Sequence, residues 1–388
     1  PRGRKVADRL LEGEWPLFLT PYPVDETTLL VAMKPSRTSP WCLAIGDTFD
    51  NLAPVFELPG YALIEPVVLA PRMRPPALPD RTDPDRDDAL VYLHNVYEGP
   101  GLAGVPRGTV RRLRIVAYHF GYLNLAGPDY IGLNGPWEPL RIIGTVPVEE
   151  DGSALFRVPA RMPLAFQALD ERGAAVQLMR SWYTAMPGEY VSCVGCHEPT
   201  VHAAPVRPAA ALTRRPHDPE PWYGPPRGFA FHREVQPVLD HHCRSCHDGT
   251  VPGRPDLRSA ADVPTYTGVT PSALTLQRMH PQVRAVLGDR VRFSPAYEEL
   301  VRRVRRVGIE DDVATLTPGE YHVDTSPLVQ MLRRGHHGVR LDDEAWDRLV
   351  TWIDLNAPYH GTWSEVAPVP EHMPARRLAL WRLTGGPR

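Results

Sequence analysis

The sequence has no run of about eighteen apolar residues, so it offers no candidate for a membrane-spanning helix. Long blocks of one charge are also missing: 43 basic and 46 acidic residues nearly cancel, to a formal charge of -3. Neither a nucleic acid nor an anionic membrane surface is therefore an implied partner. No Ser/His/Asp set, phosphate loop or carboxylate pair of diagnostic spacing stands out, which removes the common hydrolase and nucleotide-binding readings. An initiator methionine and an apolar leader are absent as well. The start, Pro1-Arg2-Gly3-Arg4, reads as a cut within a longer polypeptide. Cysteine is scarce, at five residues in 388.

Four of those five cysteines lie in two C-x-x-C pairs, each followed at once by histidine: Cys193-Val194-Gly195-Cys196-His197 and Cys243-Arg244-Ser245-Cys246-His247. This is the attachment motif for c-type haem. Two thiols three positions apart reach the two vinyl groups on one haem edge, and the next residue falls beneath the iron as an axial ligand. Whether the far face is ligated or open decides between electron transfer and catalysis. One zinc ion shared by the two pairs is the main alternative, but roughly fifty residues separate them, beyond the usual ribbon spacing of about 15 to 20. Zinc also gives no reason for both histidines. A thiol redox pair needs a strand-to-helix turn in a βαβ setting, which neither motif has. Haem attachment takes place outside the cytoplasm, so a periplasmic or otherwise extracytoplasmic location follows. Cys42, unpaired and far upstream, reads as a small buried apolar residue.

With 388 residues two or three domains are expected, and 45 prolines, about twice the usual share, point to many turns and long ordered loops. Four short strands are predicted at Pro16–Leu19, Thr28–Ala32, Trp41–Ile45 and Val55–Leu58, the size of one propeller blade. Further strands are expected at Ala89–Leu93, Thr109–Ala117, Leu140–Val148, Ala154–Val158, Leu164–Leu169 and Val176–Met179, with turns at Glu150–Gly152 and Asp170–Gly173 closing hairpins. They read as a small β-sandwich, with the first motif on the loop that follows. Phe231, Val235, Val238 and Leu239 share one helical face leading into the second motif. Asp342 is a predicted N-cap for a helix carrying Trp346, Leu349, Val350 and Ile353, and Ala296–Val304 is a further helical stretch. The fold class is thus multidomain: a β-rich N-terminal part, comprising the last blade of a β-propeller and a small β-sandwich, then a mainly α cytochrome c domain. The expected boundaries are 1–65 for the truncated propeller, 66–88 linker, 89–198 sandwich with the first motif, 199–226 proline-rich linker, 227–365 cytochrome c-like domain, and 366–388 tail.

Several longer runs resemble the hydrazine synthase alpha subunit family: Tyr97–Thr109, Gly144–Ser153, Met179–Trp182, Pro187–Glu189, Ser326–Leu332, Gly335–Gly338 and Trp352–Pro358. The resemblance covers nearly the whole chain. It implies an upstream propeller, a β-rich middle domain and a C-terminal cytochrome c portion, with redox partner proteins and a multi-subunit complex as the setting. In the hydrazine-making member a tyrosine four positions beyond the first motif histidine ligates iron, and that histidine turns to zinc. The matching position here is Val201, a departure from the catalytic pattern, with His202 one residue further as a substitute ligand. Cys42 or His119 would complete a zinc site with His197. For the haem at His247 the family's bis-histidine pattern implies a distal ligand at His336 or His337, with His322, His360 and Met331 as alternatives. Tyr183, Tyr190, Glu198 and His119 are candidate polar groups around the first iron, whereas His241 and His242 read as helix surface. The expected function is a di-haem electron carrier whose second haem is a relay. A haem-dependent oxidoreductase acting on a small nitrogen or oxygen compound at the first haem, and a docking scaffold within a redox complex, are the alternatives.

Overall fold

The computed structural model describes residues 15–77, 79–122, 129–197, 207–265, 291–308, 311 and 315–383. The chain forms two units, Pro1–Pro79 and Asp80–Arg388.

The first unit is one antiparallel sheet in chain order: β1 (Leu17–Pro23), β2 (Thr28–Lys34), β3 (Cys42–Asp47) and β4 (Leu52–Phe56). Asp25 sets the first turn, its Oδ1 accepting from the Thr27 and Thr28 amides at 2.9 and 2.8 Å, the usual use of a short polar side chain at a chain reversal. Val31, Met33, Cys42 and Ala44 make a small core on the two central strands. β4 carries Pro54, which lacks a ladder donor and belongs on an edge, and every residue of this strand is exposed.

The second unit begins with two sheets. One has the order β10–β9–β6–β7 with β11 on β9, and the other β12–β5–β8. The strands are β5 (Asp88–Leu93), β6 (Arg112–Tyr118), β7 (Leu140–Pro147), β8 (Ala154–Pro159), β9 (Pro163–Leu169), β10 (Ala175–Leu178), β11 (Tyr183–Thr184) and β12 (Tyr190–Cys193). Strict alternation along β5 and β7 buries every second residue, so both sheets feed one core around Val91, Leu113, Ile115, Val146 and Phe156. Asp170–Gly173 closes a β9–β10 hairpin as expected. Glu150–Gly152 does not: β7 pairs with β6 while β8 pairs with β5, so this tight turn carries the chain from one sheet to the other. A second correction concerns the first motif, expected on a loop. Tyr190–Cys193 is a strand, parallel to β5 in the register Cys193 to Leu93, because the free edge of β5 supplies the backbone partners that the loop would lack.

The connector after residue 206 runs along β7, with Thr145 and Glu220 exchanging both amide bonds at 3.0 and 2.8 Å. It delivers α1 (Phe231–Glu234) and α2 (Gln236–His242). One helix was expected here, and Pro237 explains the break at Val235: proline has no amide hydrogen to continue the ladder and opens a new helix instead. A two-stranded ladder of β13 (Val263–Thr265) and β14 (Val291–Phe293) precedes α3 (Pro295–Val301) and α4 (Pro327–Arg333). Then α5 (Asp343–Asp354) is capped by Asp342, whose Oδ1 accepts from the Ala345 amide at 2.8 Å. The helix stops where Asn356 and Ala357 turn left-handed at φ 66° and 55°. Two more helices follow, the short α6 (Trp363–Val366) and α7 (His372–Leu383), the latter within the expected tail. Phe231, Leu239, Leu300, Leu349, Trp352 and Ile353 form a second core that also takes in Val116, Leu140 and Ile142 from the β sheet.

A buried ion pair ties these two parts together. Arg114 on β6 and Asp354 at the end of α5 each have 1% exposed side chains and meet at 3.0 Å. The guanidinium also donates to Gln167 Oε1 at 2.7 Å, Thr351 Oγ1 at 3.0 Å and the Gly173 carbonyl at 3.1 Å. Burial pushes the Asp354 carboxyl up to about 6 against the pull of Arg114.

Candidate functional site

The second motif grows out of α2. Cys243 caps that helix, and the Cys246 and His247 amides both return to the Cys243 carbonyl at 3.1 and 3.0 Å. The motif thus makes one more helical turn, which brings residues three apart to the same side. Both thiols and His247 border a cleft of about 610 Å³, within the usual range of about 300–1,000 Å³ for a cofactor site. Apolar residues form most of its walls: Val238 and Leu239 from α2, Leu300, Leu328, Leu341, and Leu349 from α5.

His336 faces His247 across this space, the ring centroids 5.9 Å apart and the planes 24° from parallel. Two metal–imidazole bonds of about 2 Å on opposite sides of one ion give a centroid separation of about 6 Å. His247 Nδ1 lies 2.9 Å from the Pro255 carbonyl. Donation there holds the tautomer whose Nε2 lone pair is free to ligate, the usual second partner of a metal-bound histidine. Burial, then the neighbouring His337 and His247, push the His336 imidazole toward its neutral, ligating form. His337 meets His336 edge-on at 4.7 Å, on an exposed left-handed residue at the mouth, so the geometry favours His336 of the two. Met331 also lines the cleft. Burial, with Cys246 adding to it, raises the Cys243 thiol to about 11.

The other histidines are engaged elsewhere. His322 sits between Asp170 Oδ2, at 3.3 Å, and the Asp324 amide, at 3.2 Å. His242 lies 3.7 Å from Asp342, and its ring meets His241 edge-on. His360 borders a separate cavity of about 300 Å³ with His232, Asp262 and Glu365, where burial, helped by His232, lowers its pKa to about 4.

The first motif is held by backbone. The His94 and Asn95 amides donate to the Cys193 and Val194 carbonyls at 2.9 and 3.0 Å, and Gly101 donates to Cys196 at 3.1 Å. The spacer glycine is required: a Cβ on Gly195 would fall 2.3 Å from the Glu98 carbonyl oxygen. Both cysteines pack against the sheet core. His197 is exposed and left-handed at φ 61°. The Tyr183 hydroxyl is buried with no hydrogen-bond partner among the described residues, and burial, with Cys193 nearby, pushes it up. Tyr190 is about half exposed. His119 follows β6, its carbonyl accepting from Trp363 Nε1 at 2.7 Å, and burial followed by Arg377 and Arg141 lowers its pKa. Cys42 is a core residue of the first unit, 1% exposed. Glu198, Val201 and His202 lie outside the described residues. Among the described residues no group of three or more His, Cys, Asp or Glu is arranged to hold a metal ion, and no helix is long and apolar enough to cross a membrane. Sequence reading missed Pro255, which acts through its carbonyl, and the Arg114–Asp354 pair, whose members are 240 positions apart; neither leaves a local signal.

Comparison with known proteins shows what the chain is similar to. Residues 108–198 match the family model described as the hydrazine synthase alpha subunit middle domain. Over 275 residues the chain is 26% identical to hydrazine synthase subunit alpha of Kuenenia stuttgartiensis, covering 56% of this chain and 32% of that protein. A solved Kuenenia stuttgartiensis hydrazine synthase chain shares the fold, with a TM-score of 0.62 at 16% identity over 90% of this chain and 56% of that one. The chain spans about a third of the curated relative and just over half of the solved one. Residues 108–198 thus carry a domain of the hydrazine synthase alpha subunit type, and the chain around it is similar in sequence and fold to hydrazine synthase alpha.

Proposed function

We propose that this chain is an extracytoplasmic c-type cytochrome with two covalently attached haems, and that the cleft at Cys243, Cys246 and His247 is an electron relay. The observation that carries the reading is the pair of facing imidazoles, His247 and His336, across an apolar cleft bordered by both thiols. A haem bound there would supply a one-electron couple, at lower potential with two imidazoles than with histidine and methionine. The chain's own part is positional. Cys243 and Cys246 would anchor the macrocycle, the Pro255 carbonyl would orient His247, and His336 would be the second residue holding the group, leaving no room for a substrate. The leucine walls keep water away and limit reorganisation. Residues 227–365 would then be the cytochrome c domain, and the four-stranded sheet of the first unit the last blade of a propeller. Redox proteins are the proposed partners, within a multi-subunit complex, in a periplasmic setting.

A second reading makes the first motif the reactive site of a haem-dependent oxidoreductase acting on a small nitrogen or oxygen compound. It is favoured by the buried Tyr183 hydroxyl near Cys193, which has no hydrogen-bond partner among the described residues and could donate to an oxygen or nitrogen atom held there.

The test is to express the full-length protein in a host that matures cytochromes c. Peptide mass spectrometry would count haems, and electron paramagnetic resonance would be recorded for the oxidised form, and for the reduced form with nitric oxide. Two low-spin signals without a nitrosyl adduct establish the carrier. One high-spin signal that shifts with nitric oxide makes the first site reactive. A protein with unmodified cysteines ends both readings.

A further inference from the structure

A haem has an apolar ring and, on the edge away from its vinyl groups, two carboxylates that need cations or water. Apart from the two cysteines and three histidines, three of the described residues lining the cleft are charged: Arg254, Glu299 and Arg303. The same three, with Gly253 and Pro255, also border an adjoining cavity of about 470 Å³ that continues to Asp256, Glu298 and Arg302. Among the described residues, the apolar space therefore opens into charged space beside Arg254, Glu299 and Arg303.

Arg303 follows α3 and is anchored there: its Nη1 donates to Glu299 Oε2 at 2.8 Å and to the Glu299 carbonyl, and its backbone carbonyl receives the Leu328 amide at 2.9 Å. The hydrogen bonds of its side chain to described residues run through Nη1, leaving the other edge of the fork for a second carboxylate. Arg254 Nη1 donates to the Cys246 carbonyl at 2.9 Å, which ties a second guanidinium to the motif itself. Arg302, one residue away, borders only the adjoining cavity and pairs with Glu298 at 3.1 Å.

We infer that Arg303, assisted by Arg254, is the carboxylate clamp of this cleft, a positioning group that holds the haem propionates and raises the iron potential. This rests on the cleft being a haem site. A guanidinium beside the propionates favours the reduced iron, so its loss stabilises the oxidised form, by about tenfold in the oxidised-to-reduced ratio for a unit charge about 12 Å away at an effective dielectric constant of about 20. For one electron that is a fall of ~59 mV.

The experiment uses the full chain matured with haem, as wild type and as R303Q, R303K, R254Q and R302Q. Mass spectrometry first measures covalent haem at Cys243 and Cys246, and a spectroelectrochemical titration then reads its potential. The expected result is full haem loading throughout, a tenfold shift in R303Q, a smaller shift in the same direction in R254Q, and recovery of most of the wild-type potential in R303K. R302Q, on the far side, stays within twofold of wild type. Loaded R303Q with a shift no larger than that of R302Q overturns the assignment alone. If R303Q fails to mature, R254Q decides, and a wild-type potential there overturns it. A wild type without haem at these cysteines overturns the cleft reading, and this assignment with it.

Discussion

Replacing Asp354 by leucine tests how the β sheets hold the helical part. In the native structure Arg114 has 1% of its side chain exposed, and Asp354 is its one anionic partner among the described residues, at 3.0 Å. Gln167, Thr351 and the Gly173 carbonyl would still accept its hydrogen bonds in the variant, but all three are neutral, so the charge stays buried and uncompensated. The Ala175 amide, which donates to Asp354 Oδ2 at 3.0 Å, would lose its acceptor as well. Breaking a buried pair from one side costs about 3–5 kcal/mol. At roughly 2 °C per kcal/mol for a unit of this size, melting falls by about 6–10 °C. The measurement is calorimetry at pH 7.5, where Asp354, raised to about 6, is ionised. The double change R114M/D354L should recover most of the loss, since an apolar pair of similar volume has no charge to strand. A D354L variant within about 1 kcal/mol of wild type, or a double variant as unstable as the two single changes summed, would refute the reasoning.

Three further outcomes are expected. H336A should open the cleft iron, giving a high-spin signal and a nitrosyl adduct, whereas H337A should leave both spectra unchanged; the reverse pattern would make His337 the ligand. Gly195→Ala places a Cβ 2.3 Å from the Glu98 carbonyl oxygen, so it should displace the first motif, and peptide mass spectrometry should find haem at the second motif only. His360, lowered to about 4 from an ordinary 6.5 and bordered by His232, Asp262 and Glu365, contributes stability that is complete above about pH 6.5 and lost as pH falls toward 4. That amounts to about 2–3 kcal/mol. H360F should therefore show a shallower loss of stability between pH 7 and 4, and an unchanged slope would sink the argument.

What was legible in the sequence was chemistry that lives within a few residues. The two C-x-x-C-H motifs, the alternation that makes β5 and β7 strands, and the Asp342 cap with its apolar face on α5 all depend on neighbours three or four positions away, where local geometry dictates spacing. Errors arose where a partner came from far along the chain. The Glu150–Gly152 turn looks like a hairpin because turn chemistry is local, yet which sheet receives β8 depends on the open edge of β5. Tyr190–Cys193 carries no strong strand signal and is a strand because that same sheet lacked a neighbour on its other side. Two histidines in Gly335–Gly338 were equivalent by sequence. Only the packing of α2, α4 and α5 around the cleft turned His336 toward His247 and left His337 at the mouth. The sequence by itself determined the residue types the chemistry needs. Tertiary structure decided which of them meet, because burial and facing geometry are properties of distant segments brought together, and no local pattern encodes them.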